Sequence, residues 1–288
     1  MKPSGSTKIV RLIGYPVEHS KSPFMHNAAF QYMGLDFVYH LFSVKPSDLE
    51  EAITSLRAPN VVGANVTIPY KEEVMKYLDE ITPEAKFIGA VNTIHNREGK
   101  LIGYNTDGQG FITSLLTDGK VKLEGQKVFL IGAGGAGKAV AVKLAERGVE
   151  RLVITDKMVE RAKTLVGKLR ENIPDCPVDT IFPDDKEFAK TLLGSTLLVN
   201  ATPVGMNEGD PCVVDPEYLH KDLFIYDVIY NRETPLIAAA KKRGLKALGG
   251  IGMLIHQGAA SFEIWTGQKA PIEVMKNRIL EEMSNASR

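Results

Sequence analysis

Between residues 126 and 247 the chain alternates short apolar runs with amphipathic stretches. The apolar runs are 128–131, 152–155, 178–181, 196–200, 223–227 and a weaker one at 246–248; helical patterns at 161–171, 187–193 and 236–243 lie between them. Strands of this length separated by helices predict a parallel sheet covered on both faces. The first hundred residues alternate too. Strands are expected at 8–13, 37–44 and 61–66. A helix over 22–33 would be capped by Ser22, carry Pro23 at its first position and stop at Gly34. A helix over 47–57 would open on a capping box of Ser47 and Glu50. A third is expected over 71–78, and 92–96 with 100–104 read as a hairpin across Arg97-Glu98-Gly99. The tail, 253–266 and 271–283, is helical and has no sheet of its own, so it should return to the first domain. The fold class expected is α/β with two domains: residues 1–106 plus 252–288 with a mainly parallel sheet, and a dinucleotide-type domain over 107–251.

Composition narrows the function. Of 288 residues, 44% are hydrophobic and 24% charged, the range of an ordinary globular protein. Lys and Arg number 35, as do Asp and Glu, so no general charge favours nucleic acid or an anionic membrane. The first residues carry no apolar leader, and no apolar run approaches membrane length. Cys176 and Cys212 lack metal-ligand spacing, the six histidines form no paired motif, and no metal is expected. A reducing cytoplasm is the simplest inference from the two cysteines; the partner expected is a small molecule and the state a monomer or homodimer, on which composition does not bear.

The densest signal is Val128-Phe129-Leu130-Ile131-Gly132-Ala133-Gly134-Gly135-Ala136-Gly137-Lys138. An apolar strand runs into a glycine turn and then a helix, with Gly132, Gly134 and Gly137 in G-x-G-x-x-G spacing. Gly132 would make the turn, Gly134 would let the backbone approach a pyrophosphate, and Gly137 would let the helix pack on the strand. The helix N-terminus favours phosphate. A P-loop overlaps the same residues, but Lys138 is followed by Ala139, which has no hydroxyl for magnesium. The next strand ends in Asp156, placed to bind the adenosine ribose or to cap the helix that follows.

Polar clusters follow the apolar runs of the first domain: Glu18-His19-Ser20-Lys21-Ser22-Pro23, Asn65-Val66-Thr67-Ile68-Pro69-Tyr70-Lys71, Ala90-Val91-Asn92-Thr93 and Tyr104-Asn105-Thr106-Asp107-Gly108. Together they offer hydroxyls, amides, an ammonium and a carboxylate, an inventory suited to a small polyhydroxy acid. Each also has a plain structural reading. Ser22 could be only a helix cap, Asn92 could cap a strand turn, Lys71 could be a solvated charge beside Glu72 and Glu73, and Asp107 could merely start a helix over 108–116.

These clusters resemble the successive signatures of the shikimate dehydrogenase family. The match continues through Gly132 to Gly137, Asn200-Ala201-Thr202-Pro203-Val204-Gly205-Met206, Asp227-Val228-Ile229-Tyr230-Asn231 and Gly250-Ile251-Gly252-Met253-Leu254-Ile255-His256-Gln257-Gly258-Ala259, in family order over nearly the whole chain. The resemblance implies reversible NAD(P)-linked reduction of 3-dehydroshikimate to shikimate in chorismate and aromatic amino acid biosynthesis, with a quinate or dual quinate/shikimate dehydrogenase as the alternative. By motif, Ser20 and Ser22 would hold the substrate carboxylate, and Ser22 rather than Thr favours shikimate. Thr67, Asn92 and Gln257 would complete the polyol site, Asn65 would support it, and Tyr230 would reach the substrate. Lys71 would be the acid/base, paired with Asp107. Gly132, Ala133, Gly134, Gly135 and Ala136 would cradle the pyrophosphate, and Ala201, Thr202, Val228, Gly250 and Met253 would line the ribose and nicotinamide side. NADP-using members carry Asn-Arg-Thr or similar after the second strand of the dinucleotide domain; here the stretch is Thr155-Asp156-Lys157-Met158, followed by Arg161. A carboxylate about 5 Å from a 2′-phosphate costs roughly 1–3 kcal/mol, which Lys157 and Arg161 could offset, so Asp156 tilts the expectation to NAD over NADP.

Overall fold

The computed structural model describes residues 4–286. The chain divides into two compact units, Met1–Thr106 with Ile255–Arg288, and Asp107–Leu254. The later join falls inside one helix, between Leu254 and Ile255.

The first unit contains β1 (Lys8–Gly14), α1 (Ser22–Tyr32), β2 (Phe37–Ser43), α2 (Leu49–Thr54), β3 (Val61–Val66), β4 (Glu80–Ile81), α3 (Pro83–Ile88), β5 (Thr93–Arg97) and β6 (Lys100–Tyr104). Its strands, among the described residues, form one sheet in the order β2-β1-β3-β5-β6-β4. β1 runs parallel to β2 and β3, and β4 parallel to β6; β5 is antiparallel to both β3 and β6. The hairpin turns through Glu98 and Gly99 with φ of 52° and 89°, the left-handed pair that a two-residue hairpin needs. Asn96 anchors it, donating to the carbonyls of Leu56, Ala58 and Val61 and accepting from Gly99 N–H. Leu49, Ile53, Leu56, Val66, Val74, Ala85 and Ile94 share one core, each fully or nearly fully buried. Burying a side chain of this size contributes about 1.5–3 kcal/mol.

The second unit contains α4 (Asp107–Thr117), β7 (Lys127–Ile131), α5 (Gly135–Glu146), β8 (Arg151–Thr155), α6 (Val159–Asn172), β9 (Val178–Thr180), α7 (Phe188–Leu193), β10 (Leu197–Asn200), β11 (Phe224–Asp227), α8 (Pro235–Lys242) and β12 (Ala247–Leu248). Among the described residues its sheet has the order β12-β11-β10-β7-β8-β9, with every neighbouring pair parallel. Counted within the unit this is 6-5-4-1-2-3, the doubly wound Rossmann arrangement. Strand order reverses between β7 and β10, and ligands of such sheets bind beyond the carboxyl ends at that point.

Two helices complete the chain. α9 (Ile251–Thr266) begins in the second unit and ends in the first; α10 (Ile272–Ala286) belongs to the first and packs on α1. Arg278 of α10 sits 5.5 Å from the Phe24 ring of α1. The tail therefore returns to the first unit, as its lack of strands suggested. Trp265 of α9 donates to the Ile94 carbonyl at 2.9 Å.

Several sequence expectations need correction. The stretch at 47–57 is not one helix: α2 is flanked by 3₁₀ turns Pro46–Asp48 and Ser55–Arg57, and Ser47 bonds Asp48 instead of making a capping box. The helix expected at 71–78 is a 3₁₀ turn, Glu73–Tyr77. β4 and α3 were not anticipated. Ser22 does not cap α1; Lys21 holds the cap position, and Ser22 and Pro23 are the first two helical residues. Among the described residues no helix is long and apolar enough to cross a membrane.

Candidate active site

In the second unit the glycine turn is built as its sequence requires. Gly132 has φ +108°, where a side chain would be strained, and its N–H donates to the Thr155 carbonyl at 2.7 Å. A Cβ on Gly137 would fall on the Gly132 carbonyl, so α5 can lie against the turn only with glycine there. A Cβ on Gly134 would meet nothing within 4 Å. Gly134 is the N-cap of α5, whose first N–H groups have no partner within the helix. A backbone cradle with room at Gly134 and a helix N-terminus behind it fits a pyrophosphate, and Gly135 and Ala136 stand in the same turn.

Asp156 is neither a simple cap nor a carboxylate without partners. Its Oδ2 accepts from Ala133 N–H and its Oδ1 from Met158 N–H, both at 2.7 Å. It ties the end of β8 to the glycine turn. The cap position of α6 is Met158, and Lys157 and Arg161 are exposed beside it. Ala201 and Thr202 follow β10 and lie against Gly132, whose missing Cβ would be 2.9 Å from the Ala201 carbonyl carbon. Val228 follows β11; its N–H donates to the Asn200 carbonyl, and a Cβ on Gly250 would strike its carbonyl. Met253, in the first turn of α9, is 6% exposed. The second unit thus gathers every dinucleotide candidate at the carboxyl ends of its strands. Tyr230 lies in this unit as well, half-buried after β11.

In the first unit Ser20 and Ser22 follow β1, Asn65, Thr67 and Lys71 lie in or after β3, Asn92 immediately precedes β5, and Gln257 is on α9. Ser22 is buried, and its N–H donates to Ser20 Oγ at 3.3 Å. After β3, the Thr67 N–H donates to the Ile13 carbonyl and the Tyr70 N–H to the Thr67 carbonyl. Tyr70, fully buried, donates its hydroxyl to the Val44 carbonyl at 2.5 Å. The Lys71 carbonyl accepts from Val91 N–H at 2.7 Å. Lys71 therefore stands on a turn held to β1 and to the start of the hairpin, with its side chain half-buried. Asn92 is 2% exposed; its Oδ1 accepts from Thr106 N–H at 2.8 Å, and its Nδ2 donates to Thr106 Oγ1 at 2.8 Å and Gln257 Oε1 at 3.3 Å. Asn92 and Gln257 are thus in contact although 165 positions apart. Asn65 donates to the Asn92 carbonyl and to Thr93 and Ser261 and accepts from Tyr39. Asp107, 4% exposed, opens α4 and is joined directly to Thr106. Lys71 belongs to the first unit and Asp107 to the second.

Tyr39, Thr93, Thr106 and Ser261 hydrogen-bond Asn65 or Asn92 and were not among the candidates. Thr93 and Thr106 lie inside the quoted clusters, so only a wider reading of those clusters was needed. Tyr39 and Ser261 carry no local signal, since one sits mid-strand and the other mid-helix. Among the described residues no group of three or more His, Cys, Asp or Glu could hold a metal ion.

Known proteins match this arrangement over most of the chain. Residues 12–94 match the shikimate dehydrogenase substrate binding domain, residues 115–183 the shikimate / quinate 5-dehydrogenase model, and residues 250–280 the shikimate 5'-dehydrogenase C-terminal domain. A shikimate dehydrogenase (NADP(+)) of Methanopyrus kandleri is 45% identical over 280 residues, covering 96% of each chain. The chain belongs to the shikimate dehydrogenase family. It is accordingly an oxidoreductase. A crystal structure of a family member in complex with NADP+ superposes with a TM-score of 0.88 at 42% identity, covering 98% of each chain. The enzyme from Listeria monocytogenes, in complex with shikimate and NAD, gives 0.86 at 36% identity, covering 96% of this chain and 98% of that one.

Proposed function

We propose that the chain catalyses the reversible NAD(P)-dependent reduction of 3-dehydroshikimate to shikimate, a step toward chorismate and the aromatic amino acids. The observation that supports this reading is the buried contact of Asn92 with Gln257, two candidate substrate residues held together in the first unit although far apart in the chain, and of Asn92 with Thr106. A dinucleotide held by the second unit would supply the hydride for reduction and take it up in oxidation. This chain's residues do the rest. Ser20 and Ser22 hold the substrate carboxylate by hydroxyl donation, and Tyr230 would reach the substrate. Thr67, Asn92 and Gln257 fix the ring hydroxyls, and so fix which carbon faces the nicotinamide. Lys71 gives a proton to the carbonyl oxygen during reduction and recovers it from the alcohol during oxidation, and Asp107 holds the same oxygen.

The second unit would take either dinucleotide. Gly132 to Ala136 would hold the pyrophosphate, and Ala201, Thr202, Val228, Gly250 and Met253 would border the ribose and nicotinamide. An outright NAD preference from Asp156 finds no support in relatives named for NADP. Two backbone N–H groups already share the Asp156 charge, while Lys157 and Arg161 offer cations for a 2′-phosphate.

Absorbance at 340 nm with shikimate, quinate and each dinucleotide tests the reading. Turnover of shikimate with both cofactors is expected, with less than tenfold, roughly, between their kcat/KM values, about 1.4 kcal/mol. Faster turnover of quinate would move the substrate to the alternative, and no turnover of either acid would overturn the function.

A further inference from the structure

We propose that Ser261 on α9 and Thr93 on β5 form a positioning unit, whose buried hydroxyls fix the orientation of the Asn65, Asn92 and Gln257 amides at the substrate end of the first unit. The proposal rests on the reading that Asn92 and Gln257 hold the substrate's hydroxyls. It adds two fully buried residues.

Two backbone groups decide which way the amides face. The Asn92 carbonyl can only accept, so the Asn65 atom 3.0 Å from it is Nδ2. The Thr106 N–H can only donate, so the Asn92 atom 2.8 Å from it is Oδ1. Everything else follows in order. Asn65 Oδ1 is left to Tyr39, whose hydroxyl donates to it at 2.9 Å. Asn65 Nδ2 has two hydrogens and meets three acceptors: the Asn92 carbonyl, Thr93 Oγ1 and Ser261 Oγ, the last two at 3.1 Å. Asn65 is therefore committed inside the protein. Asn92 Nδ2 faces Gln257, which must present Oε1 to it.

Thr93 and Ser261 close the circuit. Thr93 Oγ1 accepts from Asn65 and donates to Asn92 Oδ1 at 3.1 Å, joining the two amides. Ser261 Oγ accepts from Asn65 and donates to the Gln257 carbonyl, one turn earlier in α9, at 3.0 Å. The two hydroxyls are 2.8 Å apart, and both residues are fully buried. Thr106 Oγ1 lies 3.3 Å from Ser261 and 3.4 Å from Thr93. β3, β5, the end of β6 and α9 thus meet on a few hydroxyls that no solvent reaches. Their chemical service is to hold donors and acceptors in the pattern the substrate finds. Buried polar networks act in this way when every member is satisfied.

The test is a set of variants read by kinetics and by side-chain amide spectra. Ser261→Ala and Thr93→Val should each raise KM for shikimate roughly five- to tenfold, the equivalent of one hydrogen bond, and change KM for NADP less than about twofold. Thr93→Ser, which restores the hydroxyl, should bring KM back to within about threefold. In ¹⁵N spectra the side-chain NH₂ groups of Asn65 and Asn92 should be protected from exchange in the natural protein and lose protection in Ser261→Ala. Folded variants that keep both the shikimate KM and the protected amides would overturn the proposal. So would equal rises of both KM values with a lower melting temperature, the mark of a merely structural role. Should the natural protein turn over no shikimate, the functional reading fails, and the amide spectra alone still decide the positioning claim.

Discussion

His26 shows how far one side chain can tie stability to pH. It is fully buried in α1, stacked on Tyr39 at 4.5 Å with 6° between the rings, and neither ring nitrogen has a hydrogen-bond partner. Burial pushes its pKa from 6.5 down to about 3. The native protein keeps the ring neutral while the unfolded chain takes up a proton below about pH 6.5. Its contribution is therefore whole above that pH and is lost as pH falls toward 3. Between pH 7 and pH 5 the loss is about 2 kcal/mol. Comparing urea unfolding of the natural protein and His26→Phe at these two pH values cancels any packing offset. The variant should lack that share of the acid loss, and identical losses would assign the acid sensitivity to other groups. Lys71 belongs to the same scale. Lys71→Ala should lower kcat about 10²- to 10⁴-fold with little change in KM. A change confined to KM would reassign Lys71 to substrate binding.

Among elements, the carboxyl ends of β10 and β11 depend on Asp227. It has no exposure and accepts from Asn200 Nδ2 at 3.1 Å, Thr234 Oγ1 at 2.7 Å and Ile229 N–H at 3.1 Å. Thr234 in turn caps α8 through Ile237 N–H. Burial raises the Asp227 pKa against these bonds. Asp227→Asn keeps an oxygen for Asn200 and Ile229, and its amide can donate to Thr234 once that hydroxyl turns, so it should shift stability by about 1 kcal/mol or less. Asp227→Ala leaves three buried donors unmet and should cost roughly 3 kcal/mol or more. Equal effects in urea unfolding would show that packing and not donor satisfaction sets the cost. Elements of the second unit were legible because apolar runs end at glycine or a carboxylate, as at Ile131-Gly132 and Thr155-Asp156. β4 was not, since a two-residue edge strand has no period. α3 was legible in principle: Thr82 caps it, Pro83 opens it and Gly89 closes it at φ +76°. The capping box at Ser47 failed because Pro46 starts a 3₁₀ turn one residue earlier. The candidate residues of the clusters could be singled out from local runs, whereas Tyr39 and Ser261 reach Asn65 only through contacts across long stretches of chain.

At the scale of the whole molecule, the first unit is discontinuous and the second is not. The first takes its last pieces from residues beyond 254: Ser261 at the Asn65 amide, Trp265 on the Ile94 carbonyl, Phe262 against Phe30 at 5.3 Å, and α10 along α1. Gly63 makes room for that packing, for a Cβ there would lie 2.8 Å from Trp265 Nε1. The second unit has its full six-stranded sheet, among the described residues, and its own core around Phe129, Leu198, Ile225 and Leu236 within Asp107–Leu254. A chain ended after Leu254 should therefore lose the first unit and keep the second. Each fully buried side chain removed takes about 1.5–3 kcal/mol from the first unit, and Met275, Ile279, Phe262 and Trp265 together exceed the 5–15 kcal/mol that stabilises an ordinary domain at its lower end. Limited proteolysis of this truncated chain should leave a resistant fragment beginning near residue 107, while circular dichroism reports loss of the remaining structure. Dinucleotide should further protect the fragment, since a ligand at 100 times its Kd adds about 2.7 kcal/mol to the state it binds. Simultaneous digestion of both halves would show instead that the second unit cannot hold its fold without the first.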